Sequence, residues 1–296
     1  MFNRSFVKYY HLMLLPGILL LILFSIVPMF GVTIAFEDFM PTKGIFRSEW
    51  VGLDNFNYMF SLPDSRQVFV NTIAIAVMKI VAGLAVPFVF SLLLHEAANA
   101  KFKRTVQTIV YLPHFLSWVI LSGVIINFLS LEGIVNRLIE WFGGNPVMFL
   151  QSNHWFRVVL VTTDVWKEFG WGTIIFLAAL TGINPSLYEA AAIDGANRFQ
   201  RLRFVTVPGM VATIVLLATL SFGNVLNAGF DQIFNLYNPI VYQSGDIIDT
   251  YVYRAGLLEA QYGLSTAVGL FKSVISFVLI AASYGLATRF ANYRIF

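Results

Sequence analysis

Apolar stretches of about 20 residues or more recur along this chain. Each is long enough to cross a hydrocarbon layer of about 30 Å at about 1.5 Å per residue. No water-soluble core needs so many of them within 296 residues. The composition agrees: 58% of residues are hydrophobic, 12% are charged and the mean hydropathy is +0.74, whereas a soluble domain carries about 25% charged residues. The chain is therefore predicted to be an all-α, polytopic membrane protein, a single domain over residues 1–296. Six transmembrane helices are expected near 12–36, 69–94, 107–129, 155–182, 206–230 and 263–288. The first follows Arg4 and Lys8 as a signal peptide would, but its apolar run is too long for one and no A-x-A site follows. It is read as a membrane anchor.

An even number of spans puts both termini on one side, so orientation follows from counting Lys and Arg in alternate loops. Segments 1–11, 95–106, 183–205 and 289–296 hold 10, against 5 in 37–68, 130–154 and 231–262. The positive-inside rule then makes both termini cytoplasmic. The opposite face holds 11 of the 16 acidic residues, so it is expected to be acidic. The net charge of +3 is explained by the same bias. A lipid bilayer is the expected partner, and nucleic acid is not.

Several kinds of chemistry have no residues to carry them. The chain has no cysteine, which excludes disulfides, thiolate metal sites and a cysteine nucleophile together. It contains neither H-E-x-x-H nor G-x-S-x-G, and no G-x-x-x-x-G-K-[ST]. His11, His95, His114 and His154 are scattered, with no pair at i, i+4. No catalytic residue, metal or cofactor is expected in this chain, and any energy for work must come from a partner.

Charged side chains inside a span cost at least about 2.5 kcal/mol each and usually face a bundle interior or water. Asp164, Lys167, Glu168 and Trp171 fall at i, i+3, i+4 and i+7 in the fourth span, and Asn224, Asn227 and Asp231 at i, i+3 and i+7 in the fifth. Each set is predicted to share one helix face. Amides and carboxylates fixed beside aromatic rings suit a polyhydroxylated substrate. The same residues would equally serve to lock helices together, with Lys79 and Lys272 as partners for the carboxylates. A further reading keeps Asp164 and Glu168 as ion sites of a gradient-driven carrier; internal inverted repeats would favour it, and none is found. Arg157, near an outer end, is expected to snorkel to headgroups.

Between the fourth and fifth spans, the segment from Gly182 to Pro208 combines helix and turn signals. Asn184 is a good N-cap with Pro185 at N1, while Ser186 and Glu189 could form a capping box instead. A short helix over about 185–193 should end at the Asp194-Gly195 turn. Its Ala190–Ala192 surface allows close approach by another backbone, as in a helix docked in a groove.

The spacing of Glu189, Ala190, Ala191, Gly195, Val205, Val207 and Pro208 resembles the EAA motif of bacterial ABC-importer permeases, E-A-A-x3-G-x9-I-x-L-P, with valine at both aliphatic positions. His95-Glu96-Ala97-Ala98 carries the letters without the glycine. Tyr111-Leu-Pro-His-Phe-Leu-Ser-Trp118, the run from Gly229 to Pro239 and the run from Asp249 to Arg254 are similar to permeases that handle oligosaccharides and polysaccharide fragments, alginate oligosaccharides among them. The resemblance implies a type I ABC-importer permease fold in the cell inner membrane. It implies a second permease, usually a different chain, and two cytoplasmic ATPase subunits that bind ATP and magnesium. An extracytoplasmic solute-binding protein completes the set. It makes residues 183–208 a cytoplasmic coupling loop, with Glu189, Ala190, Ala191, Asp194, Gly195 and Pro208 as its ATPase-coupling residues.

Overall fold

The computed structural model describes residues 4–291, with side chains from residue 8 to residue 285. The terminal segments used in the charge count extend beyond these, to 1–3 and 292–296. Almost all ordered secondary structure is helical. Five stretches are long and apolar enough to cross a membrane: Lys8–Phe36, Pro63–Glu96, Trp118–Trp141, Arg198–Gly223 and Tyr262–Gly285. Asn153–Thr181 passes the same test only together with Pro185–Ile193, from which it is bent by 66°. The cause is in the sequence: Arg157, Asp164, Lys167 and Glu168 dilute its hydropathy.

The chain divides into two compact units, one from the N-terminus to Ser65 with Tyr251–Phe271, the other Arg66–Thr250 with the remainder of the last helix. In the first unit, the Lys8–Phe36 span leads into a two-residue strand, Glu37–Asp38, paired antiparallel with Glu49–Trp50. A helix, Asp54–Ser61, follows. In the second unit, Phe176, Leu180 and Met210 form a buried cluster packed by Leu84, Phe88 and Leu217. This cluster joins the helices Pro63–Glu96, Asn153–Thr181 and Val207–Gly223. The segment 231–262, expected as an outer loop, is largely a set of short helices whose Ile247, Ile248 and Thr250 are fully buried. Thr72 Oγ1 accepts from the Ile248 N–H at 2.9 Å, and Asn71 Nδ2 donates to the Asp246 carbonyl at 3.0 Å. These bonds satisfy backbone groups that the surrounding buried apolar side chains could not.

Two predicted spans have different limits. The third, expected over 107–129, is interrupted: one helix ends at Tyr111, Leu112–Phe115 forms a 3-10 turn, and a new helix starts at Trp118 with Ser117 as its N-cap. Pro113 lacks an N–H and cannot continue the α ladder. The fifth, expected over 206–230, begins at Arg198 and stops at Gly223. Residues 224–229 are non-helical, and Gly229 has φ +98°. Hydropathy carried on through Val225, Leu226 and Ala228 and masked this break.

Candidate functional site

Asp164, Lys167, Glu168 and Trp171 share one face of the continuous Asn153–Thr181 helix, as its spacing predicts, but their side chains meet two sets of partners. Asp164 lies 3.1 Å from Lys79 Nζ. Lys79 also donates to the Ala228 carbonyl at 2.7 Å and to Gln232 Oε1. Gln232 is fully buried and donates in turn to the Leu160 carbonyl at 2.8 Å and Thr163 Oγ1 at 2.7 Å. Gly229 is required where Lys79 passes: its φ is +98°, and a Cβ would sit 2.8 Å from Nζ. Lys79 thus ties the broken end of the fifth span to the second and fourth.

Lys167, Glu168 and Trp171 belong to a second cluster. Lys167 is buried, donating to Glu168 Oε1 at 2.7 Å and to the His114 carbonyl at 2.9 Å. His114 Nδ1 meets Glu168 Oε2 at 2.6 Å, and its ring stacks on Trp171 with centroids 4.5 Å apart and planes 5° from parallel. One turn of the fourth span therefore grips the 3-10 break of the third. Gly170 allows the approach, since a Cβ there would run into the Val110 carbonyl.

The predicted common face of Asn224, Asn227 and Asp231 is absent, because the helix ends before all three. Asn224 caps it, Asn227 lies in the irregular stretch, and Asp231 opens the next short helix, Phe230–Leu236, with its side chain exposed. The fold nevertheless brings two of them together with Asp164. Lys79, Asp164, Ser221, Asn224 and Asn227 line one cavity of about 400 Å³ whose other walls include Ile80 and Leu217. Asn227 Oδ1 accepts from Lys272 Nζ at 3.0 Å, and Lys272 pairs with Asp249 at 2.5 Å. Lys79 pairs with a fourth-span carboxylate as expected, whereas Lys272 pairs with Asp249 instead, outside that span. Arg157 does not snorkel: its guanidinium donates to the Ser244 carbonyl at 3.0 Å and to Asn71 Oδ1 at 2.7 Å.

Sequence reasoning missed His114, Gln232 and Gly229. The signal for the last was present in the glycines and asparagines at 223–229, which interrupt an otherwise apolar run.

The segment after the fourth span follows its local code closely. Asn184 caps the Pro185–Ile193 helix by accepting from the Ser186 N–H at 3.0 Å, and it does so in place of a Ser186–Glu189 box. The helix ends in a Schellman motif: Gly195 has φ +78°, its N–H bonds the Ala192 carbonyl at 3.1 Å, and Ala196 N–H bonds the Ala191 carbonyl at 2.9 Å. Asn197 and Gln200 then form a reciprocal capping box for the next helix. A π turn at Leu202–Thr206 precedes Pro208 and relieves the clash its ring would make with a carbonyl four residues back. Tyr188 and Thr206 hydroxyls meet at 3.0 Å. No residue of Pro185–Ile193 is buried: Glu189, Ala190 and Asp194 are exposed, Ala191 is half-buried, and Leu187 and Ile193 are 52% and 87% exposed.

Residues 88–292 match the family model described as binding-protein-dependent transport system inner membrane component. The chain belongs to this family. It is 41% identical over 290 residues to the polygalacturonan/rhamnogalacturonan transport system permease protein YteP of Bacillus subtilis (strain 168), covering 98% of this chain and 90% of that one. A crystal structure of a bacterial ABC transporter involved in the import of the acidic polysaccharide alginate matches with a TM-score of 0.88 at 36% identity, covering 97% and 96% of the two chains. A second, of a bacterial alginate ABC transporter in complex with an alginate pentasaccharide-bound periplasmic protein, matches with a TM-score of 0.87 at 36% identity over 97% and 95%. The permease therefore has the type I importer fold of the inner membrane, works as a transport component and has a solute-binding protein as partner.

Proposed function

We propose that residues 1–296 form one permease domain, half of the translocation pathway of an ATP-driven importer for acidic oligosaccharides. The second half is a different permease chain, and two cytoplasmic ATPase subunits carry the ATP and magnesium. Both termini are cytoplasmic. The acidic substrate follows from the polyuronate sugars named for the two kinds of relative above.

The carrying observation is the capped helix Pro185–Ile193, which exposes Leu187, Ile193 and an alanine surface beside Glu189. A helix that packs on its own chain only along the Tyr188 side and leaves its other face exposed is suited to a groove on another subunit. Closure of the ATPase pair pushes this helix, with Asp194, Gly195 and Pro208 setting its angle to the next span. The push passes to the fourth span through the 66° bend and to the fifth through the Tyr188–Thr206 contact. Asp164 on the one and Asn224 on the other share the cavity, so relative movement of the two helices changes its shape and access. The amides, the carboxylate and Ser221 offer bonds to hydroxyls, and the aliphatic wall covers C–H faces. No covalent step is involved.

The experiment is sugar-stimulated ATP hydrolysis by the reconstituted complex carrying Glu189→Lys with Gly195→Asp. The chain should still insert and assemble while stimulation is lost. Stimulation at the wild-type rate would show that the helix does not couple.

A further inference from the structure

Within the first compact unit lies a polar cavity. Glu37, on the short strand, and Asn55, on the helix Asp54–Ser61, are linked because Asn55 Nδ2 donates to the carbonyls of Ala35 and Glu37 at 3.1 and 3.0 Å. Gly263, in the first turn of the last helix, lies so close that a Cβ would sit 2.7 Å from Asn55 Nδ2 and 2.9 Å from the Glu37 carbonyl. These contacts enclose about 250 Å³, with Asp38, Tyr58 and Gln261 among the lining residues.

Glu37 lines this space, and one of its carboxylate oxygens is left without a partner among the described residues. The residue is 5% exposed, and its Oε2 is sealed from solvent with no hydrogen-bond partner among the described residues. Buried polar atoms in folded proteins are nearly always satisfied, so an orphaned carboxylate oxygen in the wall of a cavity marks a place for an incoming donor, towards which the side chain turns as the donor enters. Asp38 adds a second, exposed carboxylate, and no lining residue is basic. Arg254, nearby in sequence, is engaged with Glu259 at 3.9 Å. Tyr58, also in the lining, is 51% exposed, and an aromatic ring beside such a space attracts a cation.

We infer that this cavity is a socket for a Lys or Arg side chain of the solute-binding protein, filled when that protein docks on the outer face. The inference rests on the orientation and partners proposed above. A side chain suits the site better than a metal ion. Calcium takes six to eight oxygen ligands, and among the described residues no group of three or more His, Cys, Asp or Glu is placed to hold a metal. The volume accommodates an ammonium or guanidinium head with its last methylenes. Charge complementarity points the same way, since 11 of the 16 acidic residues fall in the outer loops.

The test titrates sugar-loaded solute-binding protein against ATP hydrolysis by the complete transporter in lipid nanodiscs. Absence of any stimulation of the wild type would overturn the importer reading and the socket with it. Given stimulation, Glu37→Gln keeps the shape but removes the charge, and should raise the half-stimulating concentration about tenfold. Asp38→Asn should raise it about two- to threefold and weaken its dependence on salt. Unchanged half-stimulating concentrations in both variants overturn the socket. Asp38 is exposed, so its variant decides alone if Glu37→Gln fails to assemble. If EGTA, with magnesium present, reproduces the Glu37→Gln shift in the wild type, the guest is a metal ion and the inference fails.

Discussion

Lys79 and Asp164 approach to 3.1 Å on two different long helices, the lysine side chain 10% exposed and the aspartate 25%. The two sides of this pair face different tasks. Lys79 is held from behind by the Ala228 carbonyl and Gln232, whereas Asp164 opens onto the cavity shared with Asn224 and Asn227. The pair therefore combines the two roles that the sequence left open, a lock between helices and a polar wall. Removing Lys79 strands a carboxylate, and removing the Asp164 charge leaves the lysine with two acceptors.

Lys79→Met should accordingly cost about 3 kcal/mol of stability and Asp164→Asn about 1 kcal/mol. The double variant should recover part of the Lys79→Met loss. Thermal unfolding of the detergent-solubilised complex, run as a double-mutant cycle, checks this. Equal losses for the two single variants would mean that Gln232 and the Ala228 carbonyl do not support Lys79.

Gly170 tests the grip of the fourth span on the broken third. A Cβ there would run into the Val110 carbonyl and lie 3.2 Å from the Tyr111 nitrogen, whereas Gly123 has nothing within 4 Å. Gly170→Ala should destabilise by about 1–3 kcal/mol through forced separation of packed backbones, and Gly123→Ala should be neutral or slightly stabilising. The two melting temperatures measured side by side give the answer, and matching values would refute the close packing.

Orientation can be checked independently of assembly. With 10 Lys and Arg on one set of loops and termini against 5 on the other, a reporter active only in the periplasm should be silent when fused after Phe296. Fused within 37–68 it should be active. The reverse pattern would invert the protein and remove the acidic outer face.

What the sequence made legible was local. The Pro185–Ile193 helix could be drawn from Asn184, Pro185 and Gly195 because each acts on backbone within a few residues, and its limits agree with the structure. Hydropathy located the long helices for the same reason. The polar cavity depends on partners far apart in the chain, so periodicity brought Asp164, Asn224 and Asn227 into view but not Lys79 and Ser221 beside them. Helical spacing grouped Asp164 with Lys167, Glu168 and Trp171, yet His114 draws the last three towards the third span. Asn224 and Asn227 were placed on a helix that had already ended at Gly223. Arg157 found backbone and amide acceptors in a segment that reads as a loop but packs as a buried element.

The division of the polar residues between two environments yields a graded accessibility pattern. Because the chain has no cysteine, single cysteines can be probed with a hydrophilic thiol reagent against an unlabelled background. Asn224→Cys and Asn227→Cys line the cavity and replace exposed side chains, so they should label quickly. Glu168→Cys, beside Lys167 and the stacked His114–Trp171 pair, should label more slowly, since that carboxylate has protein partners on two sides. Adding transported sugar should slow the reaction at 224 and 227 more than at 168. Trapping the ATPases closed should change all three rates, because the fourth span connects both clusters to the coupling helix. If 224 and 227 are inert in every transport state, the cavity is no part of a sugar path. The Lys79–Asp164 and Lys272–Asp249 pairs would then serve only to hold the helices together, and the sugar contacts must lie on the other spans or on the partner permease.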